Sequence, residues 1–374
     1  MEREVAAWAS IIDNNAHETR QSCGALPFTS SYASICLIHR STRPWTGSQR
    51  LGMVRRVVRW IGGHTVHSPE RHHFLTASRE RTSIDSELTP AFRMLRPLEQ
   101  TAPFVLCSPH SGDHYTAHFL EQSQLDPLTL RKSEDYCVDD LFAAAAELGA
   151  PLIAARFPRA YLDANREPYE LDPELFDEIL PDFANTQSAR VIGGLGTIAR
   201  IVADGEEIYR RPLLLEDALT RIERLYVPFH EALQGLLEET RQRFGYAILI
   251  DCHSMPSSIA SQSSPARPQF VLGDRFGHAC DLRLTRYLRD AIGAKGYDVQ
   301  LNRPYAGGFI TEHYGKPQRG IHAIQVEVNR GLYMDEKAIR LTSGFDTLRG
   351  HLEDIIAAAF TDVQVMFERR LAAE

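Results

Sequence analysis

Three short polar segments, each at the end of an apolar stretch rich in β-forming residues, constrain the fold of this chain most. They are Ser-Pro-His-Ser-Gly at 108–112, Asp-Cys-His-Ser at 251–254 and Gln-Val-Glu-Val-Asn-Arg at 325–330. In open α/β sheets, ligands bind beyond the carboxyl ends of the strands. Two histidines and a glutamate at such strand ends therefore indicate a hydrolytic metal site at one edge of a sheet.

The pattern of elements from residue 85 onward predicts the fold class. The chain has 374 residues and is 43% hydrophobic, which provides for a sizeable core. Predicted strands alternate with predicted helices, and this alternation is typical of an α/β domain with a largely parallel sheet. The sequence contains no internal repeat and no clear linker, so a single domain is predicted over residues 85–374.

The individual elements follow from hydrophobic periodicity and from helix start and stop signals. Strands are predicted over 103–108, 151–157, 246–251 and 321–328. Helices are predicted over 134–148, 216–243 and 277–293. Ser133 is the predicted N-cap of the first helix, and Pro228 is expected to kink the second, which Gly245 terminates.

Residues 1–84 are predicted to be a poorly patterned N-terminal extension. Residues 1–80 carry ten arginines and six acidic residues, whereas the whole chain has a net charge of −8. A targeting segment, a basic binding arm, a disordered extension and a mis-assigned start codon are the alternatives. The stretch lacks the basic, apolar and small-residue layout of a secretory signal. We favour a disordered extension or a mis-assigned start.

Composition also limits the partners and the compartment. The net charge of −8 argues against a nucleic-acid partner. The sequence contains no run of 18 apolar residues, so a transmembrane helix is not expected. The six cysteines include no Cys-x-x-Cys pair, so a structural zinc knuckle is not expected. Sparse cysteines fit free thiols in a reducing cytoplasm. We therefore expect a cytoplasmic protein with a small-molecule partner and leave the oligomeric state open.

The metal hypothesis starts from the two strand-end histidines. A catalytic zinc usually takes three protein ligands, His with a carboxylate among them, and keeps one position open. His110 and His253 are the predicted histidine ligands, although either alone would be typical of an ordinary loop histidine. For the carboxylate ligand, the His-x-x-Asp spacing favours Asp113, and Asp135 at the start of the predicted helix is the alternative. Glu327 is the predicted general base or, alternatively, a surface residue paired with an arginine.

An anion clamp is predicted in the segment Arg-Ala-Tyr-Leu-Asp-Ala-Asn-Arg at 159–166. The planar guanidinium of arginine binds a carboxylate through two hydrogen bonds, and asparagine adds further donors and acceptors. Asp163 is expected to orient one of the two arginines. The alternative interpretation is a surface cluster of salt bridges.

A glycine-rich turn at 302–311 is the remaining candidate for contact with a ligand. Tyr305, Thr311 or Tyr314 would reach the substrate, or Gly307 and Gly308 only make a tight turn. The turn lacks the spacing of a phosphate-binding loop. The segment Gly-Gly-Leu-Gly at 193–196 likewise lacks the glycine pattern of dinucleotide-binding folds, so no nucleotide cofactor is expected.

Taken together, these segments resemble the N-formylglutamate amidohydrolase family. The resemblance covers about residues 87–345 and leaves out residues 1–80. The motifs that carry it are Ser-Pro-His-Ser-Gly (108–112), Ser-Glu-Asp-Tyr (133–136), Leu-Asp-Ala-Asn-Arg (162–166), Asp-Cys-His-Ser-Met-Pro (251–256), Gly-Gly-Phe-Ile-Thr (307–311) and Glu-Val-Asn-Arg (327–330).

The resemblance implies a fold and an activity. The implied fold is similar to that of zinc carboxypeptidases: three α/β/α layers with a mixed, largely parallel central sheet. The implied reaction is hydrolysis of N-formyl-L-glutamate to formate and glutamate, commonly in histidine degradation, with one Zn²⁺ per chain or another divalent ion. The alternatives are a hydrolase of another N-acyl amino acid or small peptide on the same scaffold, and a binding protein that has lost activity.

The resemblance also implies roles for particular residues. It favours Asp135 over Asp113 as the carboxylate ligand beside His110 and His253. The remaining implied site residues are Glu327 for proton transfer, Arg159 for polarising the carbonyl, and Asn165, Arg166, Tyr305 and Thr311 for binding the substrate.

Overall fold

The computed structural model describes residues 70–202, 205–259 and 267–371. Most of the predicted N-terminal extension, residues 1–69, lies outside the described residues, and so do the alternatives proposed for it. Residues 70–84 are the part of the predicted extension that the structure describes.

The strands of the described residues are mostly short. They are β1 (Phe92–Leu95), β2 (Phe104–Ser108), β3 (Leu152–Ala155), β4 (Ala247–Met255), β5 (Phe270–Gly273), β6 (Val299–Leu301), β7 (Ile321–Asn329), β8 (Met334–Asp335) and β9 (Arg340–Leu341). β2, β3, β4 and β7 confirm the four predicted strands, with β4 continuing beyond its predicted end.

The α-helices of the described residues range from one turn to several. They are α1 (Glu70–Glu87), α2 (Ala117–Gln122), α3 (Pro127–Arg131), α4 (Val138–Leu141), α5 (Ala144–Glu147), α6 (Ala189–Ile192), α7 (Leu215–Arg221), α8 (Val227–Phe244), α9 (Leu282–Ala294), α10 (Phe309–Tyr314) and α11 (Gly344–Leu371). In this part of the chain, no helix has both the length and the apolar character needed to span a bilayer.

Seven strands form one sheet in the order β1-β3-β2-β4-β7-β5-β6. β2 pairs in parallel with β3 and β4, β4 with β7, and β5 with β6. The β1–β3 and β5–β7 pairs are antiparallel. The predicted mixed, largely parallel sheet is therefore confirmed.

Helices cover both faces of this sheet, because alternate strand residues point to opposite sides. On β4, Ala247 and Leu249 pack in the same buried cluster as Phe229 and Leu233 of α8. The intervening Ile248 belongs to a second cluster, which it shares with side chains of α9 and α11. This arrangement confirms the predicted three α/β/α layers.

The helix predicted over 216–243 is confirmed, together with its irregularity. α7 runs into a π-helical segment, Ile222–Tyr226, and α8 continues from Val227 to Phe244. Pro228 lies in the first turn of α8, where the proline nitrogen has no hydrogen to donate to the preceding turn. Gly245 ends the helix with a φ of 82°, a left-handed conformation that glycine adopts at low cost.

The single helix predicted over 134–148 is wrong in its first turn and is interrupted at residues 142–143, between α4 and α5. α4 begins only at Val138, and Cys137 before it has a φ of 54°. The backbone N–H of Asp135 donates to the carbonyl of His110 at 3.0 Å. The Ser133 hydroxyl donates to the Leu130 carbonyl at 2.9 Å and does not cap a helix. As a result, Asp135 lies in a turn against the loop that follows β2.

The predicted domain boundary at residue 85 falls inside α1. Glu80 and Ile84, on the N-terminal side of that boundary, are fully buried. The carboxylate of Glu80 pairs with Arg221 on α7 at 2.6 Å, and neither side chain is exposed. We therefore propose that the folded domain includes α1 and does not begin at residue 85.

Candidate active site

The three polar segments meet at one edge of the sheet, because β2, β4 and β7 are neighbouring parallel strands. His253 on β4 lies directly opposite Glu327 on β7 in the strand register. His110 follows the last residue of β2 by two positions. The carboxyl ends of the strands thus deliver both histidines and the glutamate to the same place, as the sequence predicted.

His110, Asp135 and His253 form a buried group whose ligand atoms all lie within 4.8 Å of one another. One carboxylate oxygen of Asp135 is 2.9 Å from Nδ1 of His253 and 3.4 Å from Nδ1 of His110. Burial opposes ionisation of Asp135, but the two imidazoles hold its pKa well below its usual range. Asp113, the alternative ligand, is exposed and is not in this group.

The outer nitrogen of each imidazole faces a carboxylate other than that of Asp135. Nε2 of His110 is 2.7 Å from Asp163, and Nε2 of His253 is 2.9 Å from Asp251. A carboxylate behind a ligating histidine fixes the ring and makes the inner nitrogen more basic. Nδ1 of His110 is buried and has no hydrogen-bond partner among the described residues. Two inward nitrogens and a carboxylate oxygen are donors that fit a divalent ion.

Asp135 is held in place by two groups that the sequence reasoning did not single out. The guanidinium of Arg330 donates to the Glu134 carbonyl at 2.6 Å and to Asp135 at 3.1 Å. The Ser254 hydroxyl donates to the same Asp135 oxygen at 3.2 Å. The sequence signal that could have identified them is their position in the polar segments. Ser254 directly follows His253, and Arg330 ends Glu-Val-Asn-Arg.

Glu327 lies beside this group and is 6% exposed. The side-chain amide of Gln325 donates to one of its carboxylate oxygens at 2.7 Å. Gln325 in turn accepts from the backbone N–H of Gly308 at 2.6 Å. Burial raises the pKa of Glu327 to about 7. A carboxyl in this environment is suited to accept and return a proton near neutral pH.

Asp163 connects the histidine group to the predicted anion clamp. One oxygen faces His110, and the other accepts from Nε of Arg159 at 3.0 Å and lies 3.4 Å from Arg166. Burial opposes its ionisation, but Arg166 and then His110 hold its pKa well below the usual range. The sequence predicted a role for Asp163 in orienting an arginine but missed its contact with His110.

The two clamp arginines differ in how many of their donors are occupied. Arg159 has 30% of its side chain exposed, and its one hydrogen bond within the described part of the chain is the bond to Asp163. Arg166 donates to the carbonyls of Leu195 and Asn165 at 2.9 and 2.8 Å. The terminal nitrogens of Arg159 therefore remain available to a substrate, whereas Arg166 is largely occupied.

Asn165 and Thr311, two predicted substrate-binding residues, lie behind the second histidine. Nδ2 of Asn165 is 3.1 Å from Nε2 of His253, and its Oδ1 accepts from the backbone N–H of Ile310 at 2.7 Å. The Thr311 hydroxyl donates to Asp251 at 3.2 Å. Both side chains are buried, so their polar groups serve to position His253 and Asp251.

Tyr305 is the predicted substrate-binding residue that stays half-buried. Burial raises the pKa of its hydroxyl, and the negative charge of Glu327 raises it further. Its phenol is therefore protonated at neutral pH and can donate a hydrogen bond near Glu327.

Comparison with known proteins shows the family of the chain. The family model for N-formylglutamate amidohydrolase matches residues 102–334, which include every residue of the candidate site. The chain belongs to this family. The match begins after α1 and β1, so these two elements lie outside the part that the family model describes.

Two relatives in this family come from Pseudomonas species. The chain is 31% identical to an N-formylglutamate deformylase of Pseudomonas putida over 63% of its own length and 82% of the relative's length. It is 30% identical to the deformylase of Pseudomonas aeruginosa over 63% of its own length and 84% of the relative's.

A solved structure agrees with the fold. The crystal structure of N-formylglutamate amidohydrolase from Ralstonia eutropha JMP134 is 33% identical in sequence and superposes with a TM-score of 0.69. The superposition covers 75% of this chain and 99% of that chain.

The glycine that ends the first family motif is required by a close backbone contact. A Cβ on Gly112 would lie 2.1 Å from the carbonyl oxygen of Phe157. We expect Gly112→Ala to destabilise the fold by about 1–3 kcal/mol, because the His110 loop must move away from the backbone that follows β3. Urea unfolding measures the change.

Gly235, in the middle of α8, provides the matched control. Outside the backbone of its own helix and its two chain neighbours, no described atom lies within 4 Å of a Cβ built there, so Gly235→Ala should stabilise the helix by about 0.5–1 kcal/mol. Equal stability of the two variants would show that the Gly112 contact is not required.

Proposed function

We propose that this chain is a metal-dependent amidohydrolase that cleaves N-formyl-L-glutamate, or a similar N-acyl amino acid, to formate and the free amino acid. The observation that carries the proposal is the convergence of His110, Asp135 and His253 beside Glu327 in a chain of this family. The substrate would be a small molecule in the cytoplasm, and a role in histidine degradation is part of the hypothesis.

His110 and His253 would hold the ion through their Nδ1 atoms, and Asp135 would hold it through its carboxylate. This assignment is supported by the carboxylates behind the outer nitrogens and by the unpartnered Nδ1 of His110. When bound by these residues, zinc or another divalent ion would supply Lewis acidity and would lower the pKa of water to about 7.

Glu327 would act first as general base and then as general acid. Its carboxylate takes a proton from the attacking water and returns that proton to the leaving amine nitrogen. Gln325 fixes one oxygen of the carboxylate, so the other is the one that exchanges the proton. The raised pKa of Glu327 supports this assignment, because the group loses and regains a proton readily near neutral pH.

Arg159 would bind the polar end of the substrate. Its Nε is fixed by Asp163, which aims the two terminal nitrogens and leaves them free to polarise the scissile carbonyl or to bind a carboxylate. Tyr305 would donate a further hydrogen bond. Asn165, Arg166 and Thr311 would contribute mainly by positioning Asp163, Asp251 and His253.

Formate release from N-formyl-L-glutamate, measured with metal content by elemental analysis, tests the proposal. We expect divalent metal in the purified protein, with one equivalent per chain lost in Asp135→Asn, loss of activity after chelation, and recovery on adding Zn²⁺. Activity that persists in fully metal-free protein would contradict the metal-dependent mechanism.

A panel of N-formyl-L-aspartate, N-acetyl-L-glutamate and a γ-linked glutamyl peptide separates the alternative substrates. If any of these is turned over faster than N-formyl-L-glutamate, the proposed hydrolase activity stands and that compound is the better candidate for the substrate. Absence of both metal and turnover would favour a binding protein that has lost activity.

A further inference from the structure

A second buried group of metal-ligating side chains shares no residue with the candidate active site. It consists of Glu80 on α1, His118 on α2 and Asp217 on α7, whose ligand atoms all lie within 4.8 Å of one another. The three side chains come from three different helices, so the group exists only when these helices pack together. Glu80 lies outside the segment that the family model matches, whereas His118 and Asp217 lie inside it.

Glu80 has one oxygen bound to fixed donors and one directed at this group. Oε1 accepts from Arg221 at 2.6 Å and also from the Tyr161 hydroxyl. Oε2 lies 3.1 Å from Nε2 of His118. The other nitrogens of Arg221 donate to Gln122 and to Tyr209, both at 2.8 Å. Arg221 therefore neutralises Glu80 but makes no hydrogen bond to Asp217.

Asp217 is the group that lacks a partner. It is 1% exposed, and neither of its carboxylate oxygens has a hydrogen-bond partner among the described residues. Nδ1 of His118 is also buried without a partner in this part of the chain. Two buried carboxylates face a single permanent cation, Arg221, so Asp217 has no counter-charge of its own when it is ionised. A buried carboxylate is unfavourable unless it is paired, protonated or bound to a metal.

We propose that Glu80, His118 and Asp217 bind a second divalent metal ion, such as Zn²⁺ or Mn²⁺. One imidazole and two carboxylates are ligands that suit such ions. The ion would balance the unpaired charge and join α1 to α2 and α7. Its role is structural. The Tyr161 hydroxyl donates to Glu80, and the centroid of the Tyr161 ring lies 4.0 Å from the guanidinium carbon of Arg221. Because Tyr161 belongs to the 159–166 segment, these contacts connect the ion to the segment that carries Arg159 and Asp163.

The test uses the full-length protein and three variants: Asp217→Asn, Asp135→Asn and the double variant. Each is stripped with chelator, dialysed against Zn²⁺ and analysed for bound metal. We expect two equivalents in the unmodified protein, one in each single variant and none in the double variant. In the Asp135→Asn background, Zn²⁺ should also raise the thermal midpoint, and the Asp217→Asn change should remove that shift.

Two results would overturn the proposal. One is an unchanged metal content in Asp217→Asn, and the other is no bound metal in Asp135→Asn. Either would mean that Asp217 carries a proton instead of facing an ion. Asp217→Asn breaks no hydrogen bond, so the variant should fold; His118→Gln repeats the test through another ligand. If Asp217→Asn binds no metal while Asp135→Asn binds one, the second site stands and the proposed catalytic site fails.

Discussion

Glu327→Gln is expected to lower kcat by about 10²–10⁴-fold, because positioned general acid–base groups contribute factors of that size. The amide keeps an acceptor oxygen for Gln325, so the local hydrogen bond can persist. The amide cannot take a proton from the attacking water. Metal content should remain at the level of the unmodified protein, because Glu327 is not in the group of candidate ligands. Formate release and elemental analysis on the same sample measure both quantities.

The stability of Glu327→Gln and the turnover of a surface variant distinguish a loss of catalysis from a loss of folding. The folded-state pKa of Glu327, about 7, lies above the ordinary carboxyl value of 4.5. Ionisation of Glu327 therefore destabilises the fold increasingly as pH rises from about 4.5 to about 7, and the neutral glutamine avoids that cost. Glu312→Gln, which changes a side chain that is 58% exposed, should leave kcat unchanged. Near-normal turnover of Glu327→Gln would remove Glu327 from the mechanism.

Asp163→Asn is expected to weaken metal binding by about 10–100-fold, the usual effect of losing a carboxylate behind a ligating histidine. Asp163 faces His110 at 2.7 Å and also balances Arg159 and Arg166. Removing its charge takes the nearest counter-ion from the buried Arg166, so the fold should lose about 3–5 kcal/mol. Metal titration and urea unfolding measure the two effects separately.

Asp172 provides a control with the same chemical change. Its largely buried carboxylate accepts from Arg200 at 2.8 Å and touches no residue of the candidate site. Asp172→Asn should therefore lower stability without changing metal affinity. If the two variants bind metal equally well, Asp163 has no role behind His110 and acts only as a partner of the arginines.

Features that are determined by consecutive residues were predictable from the sequence. The apolar runs of β2, β4 and β7, each followed by polar residues, predicted both the strands and the edge where His110, His253 and Glu327 meet. The long helical period with Pro228 and Gly245 predicted the irregular helix and its end.

Features that depend on distant residues were not predictable. The turn at Asp135 is held by Arg330, 195 positions later, and by the left-handed Cys137. The burial of Glu80 depends on Arg221, 141 positions away. In both places the local sequence is compatible with a different structure, a longer helix or an unpaired extension, and tertiary contacts decide between them.

The shortest edge strands and the C-terminal helix also escaped prediction. β1 and β6 have four and three residues and lie at the two edges of the sheet. Such strands are partly exposed and too short to show a clear alternation. α11 was not predicted, although Leu348, Leu352 and Phe360 on it are buried against the sheet.

The pairing of β7 with β4 limits the insertions and deletions that this chain can accept. His253 lies opposite Glu327, and a shift of one residue would place Val326 or Val328 there instead. The same shift would turn Glu327 to the other face of the sheet, because side chains alternate along a strand. It would also displace Arg330 from Asp135. A single codon inserted or deleted within 321–326 that shifts the register of β7 would thus displace the proposed proton-transfer group and the support of a candidate ligand together, whereas length changes in the loops between strands would leave both in place.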